Sequence, residues 1–251
     1  MTETTHWLHL AQQSVVRLAT ALGPRGQWSG WVVADAAPAS GRRDMAAPLT
    51  ALGVLALRDL PLTGVAELVQ RSCEHIALTV QPGGLWRYYA NIPPDTDDTA
   101  MCALALGLAH PLVREHTERS LAATRLADGR FPTWFEPGWA PAVDAIPNAH
   151  VVAVLGECDT TQVAIAWLID VVARQQEVAS SLYYPDPLDL HLALTRALQH
   201  GVTSLRPALE LAAARACQRL QNEALTPYRT AQAMLVANTL TIADTALLTR
   251  A

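Results

Sequence analysis

Three stretches of this chain, residues 47 to 59, 97 to 109 and 148 to 156, are apolar almost all the way round, whereas 62 to 79, 111 to 127 and 205 to 222 carry charge on one face. Alanine and leucine dominate both sets, apolar residues recur every three or four positions, and the β-branched alternation of strands is scarce, so the chain reads as helical throughout. Further helices are expected over 6 to 22, 160 to 178, 187 to 199 and 228 to 240. A helix without a polar face must be surrounded by protein, while a helix with one charged face belongs at the surface. Hairpins that pair the two kinds can hide the apolar helices by curling, one ring of helices inside another, with a funnel at the mouth of the inner ring. The expected fold is therefore an all-α, α/α toroid of helical hairpins; an irregular helical bundle is the alternative.

Aromatic turns fall between charged helices and the apolar ones that follow them: GQWSGW (26 to 31), GGLWRYY (83 to 89), DGRFPTWF (128 to 135) and SSLYYPDP (180 to 187). Their starts lie 57, 45 and 52 residues apart, which suits repeated helical-hairpin units. Trp86, Tyr88, Tyr89, Trp134, Phe135, Trp139, Tyr183 and Tyr184 are expected at the rim of the funnel, where about half of them would serve only as packing between repeats. The segment AAPASGRR (36 to 43) reads as a flexible loop over that funnel.

A length of 251 residues, 51% of them hydrophobic, suits one large domain spanning 1–251. The net charge of −5 comes from 18 basic and 23 acidic residues scattered without long runs, which sets nucleic acid aside as a partner. MTETTHWLHLAQQ lacks the basic and apolar regions of a secretory signal, so a cytoplasmic protein is expected. No apolar run approaches the roughly 20 residues of a membrane span; VAIAWLIDVVA is interrupted by Asp170. Cys73, Cys102, Cys158 and Cys217 form no CxxC pair and read as reduced thiols.

The stretch IPPDTDDTAM (92 to 101) concentrates Asp95, Asp97 and Asp98 just before a buried-looking helix. Asp95 can cap that helix, with Asp97 and Asp98 as first-turn acids favoured by the helix dipole. Carboxylates held this close beside an apolar wall cannot all ionise, however, so one of them would keep its proton and act as a strong acid without a metal. Burial and repulsion pull against the dipole, and the order of residues does not decide between them.

Asp95-Thr96-Asp97-Asp98-Thr99-Ala100 resembles the DxDDTA signature of the class II terpene cyclases, a family of the squalene-hopene cyclase type, as does the apolar MCALALGL run that follows. DAIPNAHVVAVLGE (144 to 157) is similar to the family segment whose histidine hydrogen-bonds the catalytic aspartate, and the matching residue is His150. Gln27-Trp28 and Asp128-Gly129-Arg130-Phe131 look like worn versions of the family's QW repeats. The family's larger cyclases have two or three helical domains, so this chain would be a small single-domain member.

The resemblance implies that Asp97 delivers a proton to an alkene or epoxide, that Asp95 and Asp98 support its acidity and reprotonation, and that His150 holds the acid by its other oxygen. The carbocation so formed needs an electron-rich, non-nucleophilic lining, which the aromatic turns could supply. With two phenylalanines and 6% aromatic residues, the lining looks thin for a long triterpene. The expected partner is a lipophilic small molecule, a prenyl chain of short-terpene or meroterpenoid size; a homodimer is compatible with this reading. No cofactor is expected, and Mg2+ would enter only if the substrate carried a diphosphate, with Arg42, Arg43 and Arg87 as the basic residues to grip it.

Other readings stay open. The DDxxD signature of ionisation-dependent synthases is missing, since Thr99, Ala100 and Met101 follow Asp97-Asp98. Asp189 and His191 do not make up a complete zinc set of the prenyltransferase kind, because no cysteine accompanies them. Asn148, Tyr184, Asp186, Asp189 and His191 could orient a polar head group, although helix capping accounts for the aspartates equally well. The same acid could act on a non-isoprenoid alkene, imine or enol, and a non-catalytic toroid could use its funnel as a binding groove.

Overall fold

The computed structural model describes residues 3–29, 46–136, 138, 139 and 142–240. The loop 36–43, with Arg42 and Arg43, lies outside the described residues. All ten expected helices are present: α1 Glu3–Ala21, α2 Ala46–Leu57, α3 Val65–Leu78, α4 Thr96–Leu106, α5 Pro111–Ala123, α6 Ala145–Leu155, α7 Gln162–Ala173, α8 Pro187–Gln199, α9 Arg206–Asn222 and α10 Pro227–Ala237. Among the described residues there is no strand, and no helix is long and apolar enough to cross a membrane.

The helices gather into two compact units, Met1–Thr117 and Glu118–Ala251, and the chain passes from the first to the second within α5. In the first unit α2 packs against both α3 and α4. In the second, α6 packs against α7 and α8, α9 against α7 and α10, and α10 against α8. The contrast between apolar and one-sided helices translates into burial. Ten of the eleven residues of α4 and ten of the eleven of α6 are buried, whereas α5 buries only Thr117 and Leu121.

Helix ends depart from the apolar runs where local chemistry overrides them. α6 begins at Ala145, not at 148, because Asp144 caps it, Oδ1 accepting from the Ile146 N–H at 2.9 Å. Pro147 is tolerated in the first turn, where the missing N–H would have no helical partner. α7 stops at Ala173, short of 178: Gln175 takes the left-handed conformation with φ 56°, which ends the helical ladder.

Three of the four aromatic turns are copies of one device, centred on Trp28, Trp86 and Phe131. In each, the residue five before the aromatic donates its N–H to the carbonyl just before the aromatic: Gly23 to Gln27, Gln81 to Leu85 and Leu126 to Arg130, at 2.7, 2.9 and 2.9 Å. A glycine of positive φ sits two places before the ring, as Gly26, Gly84 or Gly129. At Gly84 a Cβ would lie 2.6 Å from Thr117 Oγ1 and 2.7 Å from its backbone nitrogen, so the turn can seat on α5 only as glycine. The indole N–H of Trp28 donates to the Leu18 carbonyl and that of Trp86 to the Ile76 carbonyl, each at 3.0 Å and each ten residues back on the preceding helix. Phe131 has no such donor and relies on packing alone.

A polar side chain near the start of the next apolar helix then latches each aromatic's backbone. The Trp28 N–H donates to Thr50 Oγ1 at 3.0 Å and the Trp86 N–H to Thr99 Oγ1 at 3.0 Å, and both hydroxyls donate back to the same residue's carbonyl. Asn148 does the same work in the second unit, accepting from the Phe131 N–H and donating to its carbonyl, both at 2.9 Å. The fourth turn, expected to be a further copy, is not one. It has no glycine, and it is held by Asp144 Oδ2, which accepts from the Leu182 N–H at 2.7 Å and from Ser181 Oγ at 3.2 Å.

Candidate active site

The repeat device positions the aspartates. Thr99 ties α4 to Trp86, and the Asp95 N–H donates to the Trp86 carbonyl at 3.3 Å, so the aspartate run begins against a fixed turn. Asp95 is the N-cap of α4, its Oδ1 accepting from the Asp98 N–H at 2.8 Å. Asp95 and Asp98 are buried, at 5% and 6% exposure, while Asp97 between them is half-buried. Among the described residues, Oδ2 of Asp95 and Oδ2 of Asp98 are both buried and accept no bond from an N–H or hydroxyl group.

Burial outweighs capping here. Loss of water pushes the Asp95 carboxyl up to about 7, and the charge of Asp97 adds to this, although hydrogen bonds from Asp98 and the backbone pull it back. Asp98 is pushed well above the ordinary carboxylate range, first by burial and then by the neighbouring charge of Asp95. The two carboxyls lie together at the head of α4, and burial is the first cause that raises each of them. Asp95 therefore both caps α4 and has its carboxyl raised by burial.

The surroundings of the pair suit a protonated acid. Cys102, one turn along α4, is fully buried, and burial and the aspartate charges raise its thiol well above the usual range. Tyr88 and Tyr89 meet edge to face with centroids 4.5 Å apart. The Tyr88 phenol is pushed up to about 12 by burial, by Tyr89 and by the charges of Asp98 and Asp95, so it stays neutral beside the acids. Trp86, expected at the rim, is instead 1% exposed in a core with Ala51, Val54, Ile76, Met101 and Leu106, its indole N–H spent on Ile76. Arg87 is engaged by Gln81 Oε1 and by the Ala90 carbonyl at 2.9 Å.

In the second unit His150 is 3% exposed in α6, its Nε2 3.4 Å from Arg196 Nη1 of α8. Asn148, a candidate for substrate contact, is fully buried and spends its amide on Phe131 and, at 2.8 Å, on the Asp144 carbonyl. Trp134 and Trp139 come together with centroids 5.0 Å apart, Trp134 and Phe135 half-buried and Trp139 exposed. Tyr184 is half-buried and Tyr183 is 58% exposed.

Asp189 and His191 are not joined in one site. Asp189 accepts from Arg229 and from Gln232 Nε2 at 2.9 Å, Asp186 caps α8 and pairs with Arg219 at 2.6 Å, and His191 Nε2 lies 3.0 Å from Glu177 Oε1. Glu177 also accepts from Arg215 at 2.9 Å, and its carboxyl is lowered by its partners despite burial. Neither Glu177 nor Arg196 stood out in the sequence: RQQEVASS carries no periodic signal, and Arg196 reads as an ordinary last-turn cation. Among the described residues, no group of three or more histidine, cysteine, aspartate or glutamate side chains is placed to hold a metal ion.

No protein-family model matches this chain, and no curated protein matches it in sequence. Its structure is similar to that of the type II terpene cyclase MstE from Scytonema without ligand, at 18% identity over 92% of this chain and 73% of that one, with a TM-score of 0.65. An aspartate-to-asparagine variant of MstE in complex with its substrate, geranylgeranyl dihydroxybenzoate, gives 19% identity over 91% and 71% with a TM-score of 0.67. A protein from Actinoplanes gives 16% over 91% and 75% with a TM-score of 0.68. The helices of this chain thus have the all-α, α/α-toroid fold of those cyclases.

Proposed function

We propose that this protein is a class II terpene cyclase that starts cyclisation of a prenyl chain by protonating it. Asp97 delivers the proton to the terminal alkene, and the buried Asp95–Asp98 pair supports its acidity and resupplies the proton afterwards. The observation that carries this reading is the Asp95–Asp98 pair itself, two buried carboxyls at the head of an apolar helix, both held above their ordinary range. A carboxyl proton in dry surroundings can attack carbon, and the fixed N–H groups at the start of α4 suit the carboxylate it leaves behind. Tyr88 and Tyr89 offer aromatic surface beside the acids, each face worth about 0.5 to 2 kcal/mol to a passing cation. His150 enters this proposal through the family resemblance of the 144 to 157 segment alone.

A prenyl chain on an aromatic head group is the substrate class favoured here. It agrees with the sparse aromatic content of the chain, and one similar solved structure holds geranylgeranyl dihydroxybenzoate. The test is incubation of purified protein with geranylgeranyl dihydroxybenzoate and shorter prenylated arenes, with products identified by mass spectrometry and NMR. Cyclised product is expected, falling by about 10²- to 10⁴-fold in Asp97→Asn. Unchanged turnover in that variant would remove Asp97 from its role, and best turnover of the longest triterpene chains would overturn the substrate class.

A further inference from the structure

We infer that Arg196 is a positioning residue that fixes the tautomer of His150. Its catalytic meaning rests on the function proposed above, but the geometry stands within the second unit alone. His150 Nε2 lies 3.4 Å from Arg196 Nη1, with the imidazole almost wholly buried. A guanidinium has five N–H donors and no acceptor. The ring nitrogen facing it must therefore present its lone pair, and a neutral ring then carries its hydrogen on Nδ1. Arg196 thus makes Nε2 the acceptor and leaves Nδ1–H as the donor of the neutral ring.

The two helices that present these groups have little freedom to slip. α6 packs against α8, Val151 and Val152 beside His150 are fully buried, and so are Ala193, Leu194 and Ala197 around Arg196. A cation in the last turn of α8 is favoured by the helix dipole on its own account, which explains a positive residue there. It does not explain why the guanidinium should lie against a buried imidazole, whose other possible tautomer would set N–H against N–H.

The test is nitrogen NMR of histidine-labelled protein, with the His150 signal assigned among the eight histidines by its loss in His150→Gln. The wild type is expected to show the Nδ1–H tautomer. Arg196→Lys, which still donates, should keep it, and Arg196→Met should move the ring toward the Nε2–H form. Turnover should follow the tautomer, kcat falling about 10-fold or more in Arg196→Met with KM nearly unchanged, and recovering in Arg196→Lys. An Nε2–H tautomer in the wild type, or an unaltered tautomer in Arg196→Met, overturns the inference. If the tautomer shifts as expected but no prenylated substrate is ever turned over, the inference about Arg196 stands and the proposed function fails.

Discussion

Asn148 offers a direct measure of what the repeated turn device contributes. Replacing it with valine removes both bonds to Phe131, leaving a backbone N–H and C=O in a buried turn without partners. The Asp144 carbonyl keeps the Asn148 backbone N–H as a donor, at 3.3 Å. Two stranded groups at about 1 to 3 kcal/mol each give a loss of about 4 kcal/mol. Threonine has the shape of valine but restores the hydroxyl that Thr50 and Thr99 use in the other two copies, so Asn148→Thr should lose only about 1 kcal/mol. With a urea m-value of roughly 2 kcal/mol/M, the unfolding midpoint should drop by about 2 M for valine and about 0.5 M for threonine. Equal midpoints for the two variants would refute the latch, because they differ only in the hydroxyl.

The raised aspartates link stability to pH. Below about 4 the folded and unfolded forms are both protonated at Asp95 and Asp98; as pH rises from there through 7 the unfolded chain releases these protons while the folded one retains them. Their contribution to stability is therefore lost with rising pH, and the difference between wild type and Asp98→Asn in urea unfolding should slope over that window; a flat difference would contradict the retained proton. Trp86→Phe should cost about 1 kcal/mol for the lost bond to the Ile76 carbonyl and should leave the fold intact, since Phe131 already fills the equivalent place. Unfolding of the first unit by this substitution, read by circular dichroism, would show that the turn copies are not equivalent.

The helices were legible because burial imposes a period on the residues: the all-round apolar character of α4 and α6 foretold their nearly complete burial. Ends were less so where a single capping group decides, as Asp144 does for α6. The aromatic turns were visible, but which way a ring points is a tertiary matter. Trp86 went into the core instead of the rim, and Asn148 proved to be a latch for Phe131. SSLYYPDP looked like a fourth copy because it shares aromatic content, yet it lacks the glycine that lets the others approach Arg71, Thr117 and Val163, each on the second helix along. For the aspartates, sequence set the dipole against burial without a winner. In the structure Asp95 and Asp98 are buried at the head of α4, and burial is the first cause that raises both carboxyls.

Turnover in deuterated water bears most directly on the proton held at the start of α4. If a carboxyl proton in exchange with solvent opens the reaction, each molecule of cyclised product must gain one deuterium at the end of the prenyl chain where cyclisation began, and the labelled product must vanish in Asp97→Asn. Cyclised product without deuterium, or labelled product undiminished by that substitution, would contradict the account.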